Sequence, residues 1–105
     1  MEQPKYSMVY GTTDTVKTKL SAENGIMIGY TVVLPNFTTA ATAVLTIVDN
    51  DGYTVYTGDA KNKNATSVVM GLTVPMGSGY VITLTLNAQS GGAATAVVKT
   101  YIKKE

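Results

Sequence analysis

Residues 44–57 read VLTIVDNDGYTVYT. Two alternating runs rich in Val, Ile, Thr and Tyr flank Asp49, Asn50, Asp51 and Gly52, which is the pattern of a tight antiparallel hairpin. Asn50 and Asp51 tolerate turn geometry, and Gly52 takes positive φ without a steric penalty, as a type I turn closed by a left-handed bulge residue requires.

The same period-two alternation recurs on both sides of this hairpin. Tyr6, Met8 and Tyr10 alternate in the first eleven residues, a segment read as an edge strand or as an arm that adds to a sheet. Val16 to Ser21 is a weak strand. After the Asn24-Gly25 turn, Ile26, Ile28, Tyr30, Val32 and Leu34 form one face of a central strand that Pro35 stops, since proline cannot donate to a sheet ladder. Gly58 to Asn64 is a loop by composition. Val68, Met70, Leu72 and Val74 form the next apolar face. Tyr80, Ile82, Leu84 and Leu86 follow, with Val81, Thr83 and Thr85 on the opposite side. Gly91-Gly92 turns the chain into a last strand whose inward set is Ala96, Val98, Thr100 and Ile102.

With turn signals every ten residues or so and no sustained helical period, the expected fold is all-β, an antiparallel β-sandwich of immunoglobulin-like character. A jelly roll is the alternative, because strand order is not encoded locally. At 105 residues the chain is one domain, residues 1–105. It is long enough to bury roughly two thirds of its unfolded surface without covalent staples.

Composition narrows the chemistry. The chain has no cysteine and no histidine, which removes thiolate ligands, disulfides, the commonest metal ligand and the commonest general base. The acids Asp14, Glu23, Asp49, Asp51 and Asp59 fall in predicted turns, where nothing raises a carboxyl pKa for acid–base work. Asp49, Asp51 and Asp59 invite a calcium reading, but the EF-hand spacing fails, and turn chemistry accounts for them. Ser67, Ser78 and Ser90 lack an activating base. Expected, then, is a protein that is not an enzyme and uses no cofactor and no metal.

Net charge is +1, with lysines scattered and no arginine; a nucleic-acid partner calls for a basic stripe with guanidinium forks. No apolar run approaches the ~18 residues that span a bilayer, and the amino terminus lacks a signal-peptide core. The expectation is therefore a soluble chain, not exported by the usual route, with neither nucleic acid nor membrane as partner.

Seven tyrosines stand against one phenylalanine and no tryptophan. Tyrosine buries apolar area at low entropic cost and keeps a polar tip, which suits an interface or a sugar platform. If Ile47 and Val55 face inward, Tyr56 faces outward, as does Tyr101 on the last strand. With the amino-terminal Lys5, Tyr6, Met8 and Tyr10, these are the candidate interface residues. Tyr80 is placed for a structural tyrosine corner.

Taken together, Thr46 to Tyr56, Val74-Pro75, Val81 to Leu86, Gly91-Gly92 and Val97 to Ile102 resemble small proteins encoded among bacteriophage virion genes. In those, a T-[IV]-x-D-x-D-G-x-x-[IV]-Y hairpin precedes a V-P break, a V-[IV]-T-L-x-L strand, a Gly-Gly turn and a final V-V-x-x-Y-I strand. The resemblance covers about the C-terminal two thirds and is a pattern of strands and turns. It implies a capsid decoration or cement protein, located on the virion surface, whose partner is the major capsid protein and which can also self-associate as a homo-oligomer. The alternative is a carbohydrate-binding or host-adhesion module on a virion or cell surface.

Overall fold

The computed structural model describes residues 1–104. They form two antiparallel sheets packed face to face. The first sheet has the order β1 (Lys5–Tyr10), β9 (Ala94–Lys103), β3 (Gly25–Leu34), β7 (Ala65–Met76). The second has the order β2 (Val16–Leu20), β8 (Val81–Leu86), β4 (Thr42–Val48), β5 (Thr54–Thr57), and a short β6 (Lys61–Asn62) also pairs with β4.

The β-sandwich is the one the alternation predicts, and its strand order is that of the jelly roll. An immunoglobulin-like order sets the first two strands side by side. Here β1 and β2 lie in opposite sheets, and β1 pairs instead with β9, Lys5 opposite Lys99 through Tyr10 opposite Ala94. Among the described residues, only β4 and β5 form a direct hairpin. The pairings that decide between the two orders join the ends of the chain, and periodicity along one strand says nothing about them.

The hairpin turn follows its residues. The Asp49 carboxylate accepts from the backbone N–H of Asp51 and of Tyr53, each at 2.9 Å. The Gly52 N–H donates to the Asp49 carbonyl oxygen at 3.2 Å, with Gly52 at φ +88°.

Between the sheets lie Met8, Tyr10, Met27, Tyr30, Val32, Leu45, Ile47, Ile82, Leu84, Val98 and Ile102, all buried. Phe37, from the β3–β4 connection, meets Tyr10 edge to face with centroids 5.7 Å apart. The inward set of β9 is Ala96, Val98, Thr100 and Ile102, as alternation predicts.

Two strands depart from strict alternation. In β3 the register shifts between Met27 and Gly29 against both neighbours, so the inward residues are Met27, then Tyr30, Val32 and Leu34, while Ile26 and Ile28 are only half-buried. Directly across on β7, Gly71 at φ +80° changes that strand's parity. Val74 and Met76 are buried after it, but Val68 and Met70 before it face solvent. The expected apolar face of Val68, Met70, Leu72 and Val74 is therefore split between two sides, because a bulge shifts a period-two pattern by one residue.

Candidate interaction surfaces

The amino-terminal segment is an edge strand, and its alternating residues point inward. Met8 is 0% and Tyr10 1% exposed. Tyr6 lies opposite the buried Val98 and is half-buried against the core. The expected contact of Met8 and Tyr10 with a neighbour is thus corrected, since the core is the side on which their apolar surface leaves water. The Tyr10 hydroxyl donates to the Leu84 carbonyl oxygen at 2.7 Å. Burial, and after it the charge of Asp14, pushes the Tyr10 pKa well above its ordinary value.

Tyr56 is corrected in the same way. It sits opposite Ile47, which is buried, and directly opposed residues share a face. Val55, not Tyr56, is passed over by the register shift between Ile47 and Val48, so the tyrosine turns towards the interior. Its ring meets Tyr30 at 5.8 Å, and its hydroxyl donates to the Tyr30 hydroxyl at 3.4 Å.

Lys5 and Tyr101 do lie on the outer face of the first sheet. Lys99, opposite Lys5, places its ammonium 5.4 Å from the Tyr101 ring centroid. The Tyr101 hydroxyl and Thr31 Oγ1 share a hydrogen bond of 2.8 Å. Next to Tyr101 in the ladder come Gly29 and Met70, and Met70 Sδ lies over the space that a Cβ on Gly29 would occupy. Val33, Val68 and Met70 extend this surface as exposed apolar side chains. They follow from the parity change at Gly71, and the glycine within an otherwise alternating run is the sequence signal for it. At one end, Ile26, Ile28, Leu72, Thr73, Lys103 and Lys104 line a half-open recess.

The outer face of the second sheet is of another kind. Lys17 and Lys19 lie opposite the buried Leu84 and Ile82, so the outward residues of β2 are Val16, Thr18 and Leu20. Pairing then gives a threonine row across β2, β8, β4 and β5, Thr18–Thr83–Thr46–Thr57. Beside it run Val16–Thr85–Val44 and Leu20–Val81–Val48–Thr54. None of these side chains carries a charge. Thr83, Thr85 and Val81 were legible as one side of a strand, but the row needs the registers of three pairings.

Three of the acids are engaged locally. Asp14 accepts from the Gly11 N–H at 2.7 Å and pairs with Lys17 at 3.1 Å, which together hold its carboxyl below the usual carboxylate range. Asp49 is engaged in its turn. Glu23 pairs with Lys104 at 2.7 Å. Among the described residues no group of three or more carboxylates stands together in a way that could hold a metal ion. Tyr80 packs its ring against Gly77, and no hydrogen bond of its hydroxyl occurs among the described residues; the cross-sheet tyrosine bond is made by Tyr10 instead.

No protein-family model and no curated protein sequence matches the chain. Among solved structures it is similar to the Yersinia pseudotuberculosis-derived mitogen, with TM-score 0.50 at 10% identity, over 99% of this chain and 88% of that one. It also aligns with the structure of the infectious bursal disease virus Gt strain, with TM-score 0.40 at 17% identity, over 97% of this chain and 30% of that one. The chain thus spans under a third of the viral chain. The first likeness is one of fold, and the second is too distant to bear on function.

Proposed function

We propose that this chain is a non-enzymatic virion structural protein, a capsid decoration or cement protein that binds and stabilises the shell formed by the major capsid protein of a bacteriophage. The observation that carries the reading is the charge-free outer face of the second sheet, centred on Thr18, Thr83, Thr46 and Thr57. A surface without charges is covered by another protein with no charge desolvation, and its hydroxyls can still bond to whatever polar groups the partner presents.

Two further points support it. The strand motifs of the virion-protein resemblance fall on β4, β5, β8 and β9, which build most of this face and the strand behind it, while Val74-Pro75 lies within β7 and does not break it. Jelly rolls also recur in viral capsid domains, an argument from fold alone. They recur in lectins as well, and Tyr53, 70% exposed at the hairpin tip, is the residue on which a carbohydrate-binding reading would rest.

The test is co-sedimentation of the purified chain with shells of its major capsid protein that lack it. Saturable binding is expected, weakened at least tenfold by Thr83→Lys. A wild-type chain that stays in the supernatant overturns the proposal, and a glycan array with hits that Tyr53→Ala abolishes favours the second reading.

A further inference from the structure

The sheet edges are guarded unequally. β2 turns Lys17 and Lys19 to the core side of its edge, β5 is short and bulged against β4, and β1 sets Lys5 among its outward residues. Inward charges, bulges, short length and edge lysines are the devices that stop an edge from pairing with other chains. Along Ala65–Met70, β7 has none of them. The stretch ATSVVM is uncharged and free of proline, and its register with β3 is unbroken from Leu34 opposite Ala65 to Gly29 opposite Met70. Among the described residues, the backbone groups of this stretch that point away from β3 meet no hydrogen-bond partner.

We propose that this edge pairs with a second copy of the chain. The two Ala65–Met70 segments run antiparallel about a two-fold axis and fuse the two β7-bearing sheets into one continuous sheet. Neutrality is what selects a second copy, because a two-fold sets each residue near its own kind, and a lysine-bearing edge would oppose like charges. Face parity fixes the register further. Thr66, Val68 and Met70 point outward and Ser67 and Val69 towards the core side, and directly opposed residues must share a face. Parity therefore sets the axis on a residue and not between two, and the residues at the middle of the stretch are Ser67 and Val68. With Val68 on the axis, Val68 meets the other copy's Val68 and Thr66 meets Met70. This register covers both exposed apolar side chains, Val68 at 60% and Met70 at 53% exposure. With Ser67 on the axis, Met70 is left opposite Asn64.

The test uses the chain alone, so its result is independent of shell binding. Light scattering behind size exclusion is expected to give a dimer mass for the wild type and a monomer mass for Val68→Lys, with dimer dissociation raised at least tenfold. The chain has no cysteine, so Val68→Cys under mild oxidation should yield a disulfide-linked dimer, whereas Val16→Cys on β2 should not. A wild type that remains monomeric up to its solubility limit overturns the proposal. So does a dimer that survives Val68→Lys and leaves Cys-substituted position 68 uncrosslinked.

Discussion

The hydroxyl of Tyr10, on an edge strand of one sheet, donates to the carbonyl oxygen of Leu84, on an inner strand of the other, across 2.7 Å of buried interior. The bond joins residues far apart in sequence and closes the two layers where β1 faces β2 and β8. Tyr10→Phe keeps the ring and its edge-to-face contact with Phe37 but removes the donor. It should cost about 1–2 kcal/mol, read as a melting temperature lower by roughly 4–8 °C per kcal/mol. Tyr101→Phe, which loses a part-exposed bond to Thr31, should cost less; equal losses would mean that the cross-sheet bond adds nothing of its own.

Alkaline pH should act through the same residue. Burial, the larger cause, and the charge of Asp14 raise the Tyr10 pKa; burial, and after it the hydrogen bond from Tyr56, raises that of Tyr30. Both shifts are upward from 10.0, so the folded chain holds protons that the unfolded chain releases above that value. The stabilisation is fully present below about pH 10 and is lost as pH rises beyond it. Denaturant titrations between pH 9 and pH 12, on the order of 1.4 kcal/mol per pH unit for each proton, should show stability falling, with a shallower slope in Tyr10→Phe.

Thr100 is wholly buried opposite Tyr30, and its Oγ1 has no hydrogen-bond partner among the described residues. An unpaired buried hydroxyl carries its desolvation cost with no return. Thr100→Val, close to the same shape, should stabilise the fold by about 1 kcal/mol. Chemical denaturation would show it as a higher midpoint at unchanged slope. A lower midpoint would indicate that the hydroxyl is in fact bonded.

Gly29 lies under β7 so closely that an added Cβ would stand 2.5 Å from the Val69 carbonyl oxygen. That atom is backbone and cannot rotate away, so Gly29→Ala must push β7 aside at a cost of about 1–3 kcal/mol. Amide exchange should quicken in Ala65–Met70 while β8 and β9 stay protected. Gly52→Ala is a contrast, since its site is open and only its φ of +88° opposes a side chain; exchange there should change at the hairpin tip alone.

What the sequence shows and what it hides divide along the same physical line. The hairpin of β4 and β5, the inward set of β9 and the stop at Pro35 depend on neighbours a few residues away, and local pattern carries them. The paired irregularities at Ile28 and Gly71 do not announce their offset, and one residue of slip sends Val68 and Met70 to solvent while Met27 replaces Ile26 and Ile28 inside. The alternation of Tyr6, Met8 and Tyr10 marks a strand correctly, but only the ladder with β9 tells which face is covered. Tyr56 shows the same gap, because its opposition to Ile47 depends on where the hairpin bulge falls. The threonine row depends on three inter-strand registers, which no local pattern carries.

The lysines of β2 supply a last expectation. Lys17 and Lys19 stand on the core side of an edge strand, opposite Leu84 and Ile82, where apolar residues would satisfy the pattern better. Charges so placed resist a foreign strand, because pairing would draw them away from water. Lys17→Val with Lys19→Val should therefore leave the melting temperature within a few degrees of the wild type, or raise it, while lowering the temperature at which scattering begins. Thermal scans followed by circular dichroism and light scattering on one sample separate the two effects. A double variant that melts as reversibly as the wild type would show that this edge is guarded by something other than its lysines.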